Sequence, residues 1–327
     1  MSAPVLSVEN LKVHFPIKTG GLLNRRVVPL KAVDGVSFDV KAGECLGVVG
    51  ESGCGKSTLG RAALQLIKPS AGKVVWLGEN LAELSAEAMR ARRRDLQLVF
   101  QDPLSSLNPR LNVAEIIREP LYAAEPDMSR AEADARIDAI MTAVGLLPEM
   151  RGRYPHEFSG GQCQRIAIAR AMVLKPKLIV CDEPVSALDV SIQAQVINLL
   201  KRLQRELGLS LIFISHDLSV VRHLCHRVMV LYLGRMMELA DRDALFARPL
   251  HPYTRALIAA VPIPDPAAER AKTPVILSGD LPSPMNPPSG CVFRTRCPKA
   301  SPKCIKEMPT VETLPGGHQI ACHHWRT

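Results

Sequence analysis

The chain has 327 residues, 47% of them hydrophobic and 22% charged, with a formal net charge of +9. That size and balance suit two domains, or one large domain with an appendage, around a sizeable buried core. The basic excess is dispersed, its tightest run being Arg92-Arg93-Arg94, and at 4% aromatic residues the chain lacks the stacking platforms of a single-strand nucleic-acid binder, whereas a basic surface also suits an anionic membrane face.

No run of about 18 apolar residues occurs, so no segment is expected to span a bilayer. The start, Met1 to Glu9, lacks the basic region and long apolar core of a secretory signal. A cytosolic protein is expected, its nine cysteines reduced or metal-bound, with any membrane attachment made through a partner.

Along the chain, Val5 to Phe15 and Ala32 to Val40 alternate like strands, with an extended hairpin loop expected from Pro16 to Leu30. Cys45 to Val49 reads as a short buried parallel strand. It runs straight into Gly50-Glu51-Ser52-Gly53-Cys54-Gly55-Lys56-Ser57, and Thr58 to Leu64 continues as a helix. Leu96 to Phe100 is a further strand ending at Gln101. From Pro103 to Phe158 the pattern turns helical. Ser129-Arg130-Ala131-Glu132 predicts a capping box, and Ala135, Ile137, Ile140, Met141 and Val144 share a face that Gly145 can end. Phe158-Ser159-Gly160-Gly161-Gln162 then heads another helix. Leu178 to Cys181 predicts a strand ending at Asp182 and Glu183. Asp189 or Ser191 caps a helix with Ile192, Val196, Leu199, Leu200 and Leu203 on one face and Gly208 at its end. Leu211 to Ile214 precedes His216. Beyond Leu250, eight prolines from Pro262 to Pro288 are expected to break regular structure. The expected fold is α/β: a core of residues 1–102 and 162–250, combining an antiparallel β subdomain with a sheet that carries the glycine-rich loop, a helical subdomain at 103–161, and a Cys-containing tail at 251–327.

The first motif fits G-x-x-x-x-G-K-[ST], whose glycines let backbone N–H groups cradle phosphate while the next helix presents its positive end. Lys56 should reach the β- and γ-phosphates and the Ser57 hydroxyl a Mg²⁺ ion. Asp182, at a strand end, suits a Mg²⁺ carboxylate, and Glu183 a general base for the attacking water. Two adjacent carboxylates there could instead cap a helix. Gln101, 45 residues after Lys56, fits a sensor of Mg²⁺ and water. His216 can contact the γ-phosphate or stand as a satisfied interior histidine.

With these motifs in this order, the chain resembles the nucleotide-binding subunits of ABC transporters over roughly residues 5 to 250. The resemblance implies that Ser159, Gly160, Gly161 and Gln162 contact the γ-phosphate of a nucleotide held by an opposing subunit, with Phe158 where leucine is more usual. It implies that Ser186-Ala187-Leu188-Asp189 signals between the two sites, and that Phe15 stacks on adenine. Cys163 stands where a polar or basic residue is expected. His251-Pro252-Tyr253-Thr254-Arg255-Ala256-Leu257, Gly279 to Cys291 and Ser105 to Pro109 are similar to the oligopeptide/dipeptide permease branch, running close to its dipeptide F-type ATPase subunits.

That branch implies a peptide importer at the cytoplasmic face of the inner membrane. Its partners would be a second, paralogous ATP-binding subunit, two transmembrane permease subunits and, indirectly, a peptide-binding receptor protein, with no nucleic acid. The same role with nickel or a metal chelate as cargo, and a soluble non-transport ATPase, are the alternatives. ATP and Mg²⁺ are implied throughout.

Cys291, Cys297, Cys304 and Cys322 are separated by 5, 6 and 17 residues. Four thiolates can hold zinc or an iron–sulfur cluster, but no close C-x₂-C pair indicates a zinc ribbon. The resemblance implies a [4Fe–4S] cluster. A zinc site drawing on His318, His323 or His324, and four free thiols, remain open. Any such cross-link would organise a tail too poor in apolar residues to fold alone.

Overall fold

The computed structural model describes residues 3–19, 26–262, 265–272, 277 and 279–326. Two compact units emerge: one of Met1–Val5, Val40–Cys45 and Glu83–Ile214, the other of Leu6–Asp39, Leu46–Ala82 and Ser215–Thr327.

In the second unit, β1 (Leu6–Thr19), β2 (Arg26–Val40), β4 (Ala71–Trp76) and β5 (Glu79–Asn80) form a sheet in the order β2-β1-β4-β5. β1 buries Leu6, Val8, Leu11 and Val13 and leaves the intervening side chains wetter, as a sheet covered on one face requires. Its pairing with β4 slips between Glu9 and Lys12, where Asn10 takes φ +47°, the mark of a bulge. The strands extend well into the expected loop: Pro16 to Thr19 and Arg26 to Leu30 are strand, with Thr19 Oγ1 donating to the Arg26 carbonyl at 3.3 Å. A half-solvated antiparallel sheet accepts polar residues on its open face, which is why Lys18 and Thr19 do not end it. Residues 20–25 of that loop lie outside the described ones.

The same unit holds β3 (Cys45–Val49), β9 (Arg227–Tyr232), β10 (Arg235–Asp241), β11 (Glu312–Thr313) and β12 (Gln319–Ile320). β3 and β9 run parallel, while β10 pairs antiparallel with both β9 and β12. The proline-rich tail therefore does contain regular structure. Prolines sit at the first turn of α10 (Pro252–Ala259), α11 (Pro266–Ala271) and α12 (Pro302–Lys306), where the missing N–H costs nothing, and β12 adds to the edge of β10.

In the first unit, β6 (Leu96–Val99), β7 (Leu178–Asp182) and β8 (Ser210–Ile214) are parallel, in the order β6-β7-β8. β7 and β8 are buried at every position, the pattern of strands covered on both faces. The helices α4 (Val113–Ala124) and α5 (Arg130–Ala143) are tied by the Arg118–Asp134 ion pair, and Arg151 holds Asp138 beyond them. The buried positions of α5 are Ala133, Ile137 and Met141, continued by Val144; Ala135 is exposed and Ile140 half-buried, since the inward stripe follows i, i+4, i+8. The expected capping box at Ser129 is one-sided. Ser129 Oγ accepts from the Glu132 N–H, but the Glu132 carboxylate turns to Arg136, a charged partner one helical turn on. The helices α6 (Gly160–Met172) and α7 (Val190–Leu207) complete this unit's site-bearing elements, α7 ending on Gly208 at φ +62° as expected. Among the described residues no helix is long and apolar enough to cross a membrane.

Candidate functional site

The phosphate-binding loop is shaped by close backbone approach. β3 ends at Val49, and α1 (Lys56–Ala63) starts after Gly55. Gly50 takes φ +151°, and a Cβ there would lie 2.2 Å from the Leu231 carbonyl oxygen. Gly55 takes φ +102°, and its Cβ would lie 2.0 Å from the Ala32 oxygen. No side chain fits at either position, which is the physical content of the motif's glycines. The Gly234 N–H donates to the Cys54 carbonyl at 2.8 Å, and burial pushes the Cys54 thiol up and keeps it neutral. Lys56 is buried, its ammonium donating to the carbonyls of Gly50 at 2.8 Å and Glu51 at 3.1 Å. Ser57 and Thr58 follow, half-buried, in the first turn of α1.

Phe15 and His216 belong to the same unit as this loop. Phe15 is 36% exposed on β1, presenting an open ring. His216 is exposed just past Ser215, whose N–H donates to the Val48 carbonyl of β3 at 3.2 Å, and Asp217 caps the helix Leu218–Leu224 behind it.

The other unit gathers the acidic and signature residues. Asp182 is buried at the end of β7. Glu183 follows in the left-handed region at φ +48°, held by its N–H to the Ile214 carbonyl at 3.1 Å. A non-glycine residue in that region is uncommon and costs free energy, so the surroundings impose it. Gln101 Nε2 donates to Glu183 Oε2 at 3.1 Å, bringing together two residues 82 positions apart in sequence. Ser186 Oγ donates to the Glu183 carbonyl at 3.1 Å, so the loop Ser186-Ala187-Leu188-Asp189 starts against the same residue. Asp189 precedes α7 without a side-chain capping bond.

The signature is a reciprocal capping box. Ser159 Oγ accepts from the Gln162 N–H, and Gln162 Oε1 accepts from the Ser159 N–H at 2.9 Å, so both polar residues order the start of α6. Ser-x-x-Gln is the spacing that announces such a box. Gly161 takes its place because a Cβ would meet Ile192 Cγ2 at 2.4 Å, while Gly160 faces Leu188 at 3.5 Å. Cys163 is buried, its thiol donating to the Pro155 carbonyl at 3.4 Å.

The tail cysteines gather without closing. Burial pushes the Cys291 thiol up to about 11, with Cys304, Cys297 and Cys322 adding to the shift, so the four lie within one another's electrostatic reach. The Cys322 sulfur accepts from the His324 N–H at 3.3 Å. Yet no group of three or more His, Cys, Asp or Glu side chains that could hold a metal is present among the described residues. The tail histidines are engaged elsewhere: His318 donates to buried Glu238, His324 meets Ser301 Oγ at 2.8 Å, and His323 meets the Glu307 carbonyl.

Two residues that sequence reasoning missed reach the phosphate-binding loop. Tyr253 Oη accepts from the Glu51 N–H at 2.9 Å, and Arg296 Nη1 donates to Glu51 Oε2 at 2.6 Å. No spacing rule finds a contact across 245 residues.

A P-loop on a strand-to-helix turn, a strand-end Asp-Glu pair joined by Gln101, and a signature heading its own helix define an ATP-binding cassette. Family models match as "ABC transporter" over residues 33–186 and "Oligopeptide/dipeptide transporter, C-terminal region" over 237–304. The oligopeptide transport ATP-binding protein OppF of Escherichia coli (strain K12) is 59% identical over 97% of this chain and 95% of its own length. AppF of Bacillus subtilis (strain 168), which bears the same description, is 52% identical over 98% and 97%. Among solved structures, the ATP-binding cassette MJ0796, a dimer in a post-hydrolysis state with ADP and Pi, is 29% identical, covering 72% of this chain and 98% of that one with a TM-score of 0.64. CbiO1 of Clostridium perfringens matches equally well at 27% identity, over 75% and 92%. The chain belongs to the ATP-binding proteins of ABC transporters, in their oligopeptide/dipeptide branch, and is an ATPase coupled to transport.

Proposed function

We propose that this chain hydrolyses ATP to power import of di- and oligopeptides, as a peripheral subunit on the cytoplasmic face of an inner-membrane transporter. The observation that carries the cargo is the similarity to oligopeptide transport proteins over nearly the whole chain, C-terminal region included. That region also weighs against a soluble, non-transport ATPase, and no observation favours nickel or a metal chelate. The partners would be a paralogous ATP-binding subunit, two permease subunits and a peptide receptor.

In this reading, Phe15 stacks on adenine while the N–H groups from Gly50 to Thr58 and the Lys56 ammonium hold the phosphates. Mg²⁺ takes one or two carboxylates with substrate phosphates rather than an all-protein cage, so Ser57, Gln101 and Asp182 are a fitting set; the ion would neutralise developing phosphate charge. Glu183 accepts the proton of the attacking water, Gln101 orients both, and His216 contacts the γ-phosphate. Ser159, Gly160, Gly161 and Gln162 serve the nucleotide of the partner subunit, and the loop Ser186 to Asp189 links the two sites. The helical segment 103–161 carries that signature, between the core pieces 1–102 and 162–250 and the tail 251–327.

The test is reconstitution with the permease subunits and receptor in vesicles. Peptide-loaded receptor should stimulate ATP hydrolysis, whereas stimulation only by a nickel-loaded receptor would reassign the cargo. For the tail, four soft thiols, three of them facing backbone N–H donors, suit a [4Fe–4S] cluster in their chemistry, which Cys291, Cys297, Cys304 and Cys322 would hold as a structural cross-link. Anaerobically purified protein should then contain equal iron and sulfide, lost in Cys297→Ser; a colourless, metal-free protein refutes the cluster.

A further inference from the structure

Glu51 places a negative charge inside a loop built to receive a triphosphate, and three contacts restrain it. Its N–H donates to Tyr253 Oη at 2.9 Å, its carboxylate accepts from Arg296 at 2.6 Å, and its carbonyl accepts from the Lys56 ammonium at 3.1 Å. Arg296 comes from the tail, between Cys291 and Cys297, and its side chain is only 10% exposed. It is held there by aromatic packing. Phe293 meets Tyr232 edge-on with centroids 5.2 Å apart and Tyr253 at 5.3 Å, and the guanidinium lies 6.0 Å over the Tyr232 ring. Tyr232 ends β9 directly after Leu231, whose carbonyl presses on Gly50. The tail thus holds Glu51 directly and packs, through Phe293, on the end of the strand that backs Gly50.

We propose that Arg296 is a positioning residue for ATP: by neutralising Glu51 and fixing its place in the loop, this tail arginine sets nucleotide affinity. The inference rests on the reading of Gly50 to Ser57 as the ATP-binding loop. Without Arg296, an uncompensated carboxylate would face the polyphosphate in a partly buried setting, where charge is weakly screened.

The experiment is calorimetric titration of the full chain with Mg·ATP, with melting temperature as a check on folding. Arg296→Gln should weaken binding about tenfold, the scale of one uncompensated charge at the edge of such a site. In the assembled transporter the loss should fall on KM and not on kcat. Glu51→Gln should act in the opposite direction and tighten ATP severalfold. The double variant should recover most of what Arg296→Gln loses, and Arg296→Lys part of it. Normal ATP binding by folded Arg296→Gln overturns the proposal. So does a Glu51→Gln variant as weak as Arg296→Gln, the signature of a merely structural ion pair. Should Arg296→Gln fail to fold, the double variant decides by whether its affinity is near that of the unaltered protein. Lys56→Ala separates the premises: if it binds ATP normally, the P-loop reading itself fails.

Discussion

Replacing Glu183 with glutamine is expected to lower ATP hydrolysis by about 10²–10⁴-fold, the range for loss of a general base. The substitution is close to isosteric. Glutamine retains an oxygen that can accept from Gln101, and the backbone bond from residue 183 to the Ile214 carbonyl is unaffected. The left-handed backbone at φ +48° is equally demanding of either residue, so fold and ATP affinity should survive. Measured together, ATP binding and turnover should therefore separate: binding intact, hydrolysis nearly abolished, with ATP trapping the closed dimer. Near-normal turnover would remove Glu183 from the base role.

Glu238→Ala should cost on the order of 3–5 kcal/mol, because it removes the acceptor from a buried polar hub. Glu238 is fully buried on β10. Its carboxylate accepts from the N–H groups of Leu250 and His251 at 2.8 and 3.0 Å and from His318 Nε2 at 2.7 Å. Burial alone would raise its pKa; the His318, Thr254, Leu250 and His251 donors outweigh it and hold the carboxyl below its usual range. Burial pushes neighbouring His251 down to about 4, so the ring is neutral and its Nδ1 can accept from the Tyr253 N–H that opens α10. Alanine would strand these donors in a dry interior. In thermal denaturation the midpoint should fall by about 10 °C, taking 2–4 °C per kcal/mol for a domain of this class. Glu238→Gln, which keeps one acceptor oxygen, should lose less. A midpoint within 2 °C of the unaltered protein would show the hub to be dispensable.

These two expectations differ in how they could have been reached. Glu183 was legible in the sequence, since a buried apolar strand followed by Asp-Glu after a P-loop is a local pattern with few other readings. The strands Cys45–Val49, Leu178–Asp182 and Ser210–Ile214 were equally plain, because strands covered on both faces are continuous apolar runs. The Glu238 hub was not legible. Its donors come from the segment just before α10 and from a histidine 80 residues away, and pairing of a buried carboxylate depends on which segments meet.

The local rules also misread where tertiary contact overrides them. Pro16 to Leu30 reads as loop from its Gly and Arg content, but the strands continue into both of its ends, since an open antiparallel face tolerates polar residues. Of the prolines read as breakers, Pro266 instead starts a helix, where no N–H is wanted, while Pro282, Pro284, Pro287 and Pro288 lie outside helices and strands. Ala135 fell on the predicted apolar face, and packing chose the stripe through Ala133 instead.

The amino-acid order by itself determined the family: the glycine-rich loop through Lys56, the strand-end Asp182-Glu183 pair and the Ser-Gly-Gly-Gln box are short local patterns, legible without the fold. Only the tertiary structure decided what steadies those patterns. Gln101 meets Glu183, Leu188 and Ile192 back the signature, and Arg296 and Tyr253 grip Glu51 from the tail. Such contacts join residues tens to hundreds of positions apart. They are fixed by burial and by the need to pair every buried charge, conditions that exist only once the chain has folded.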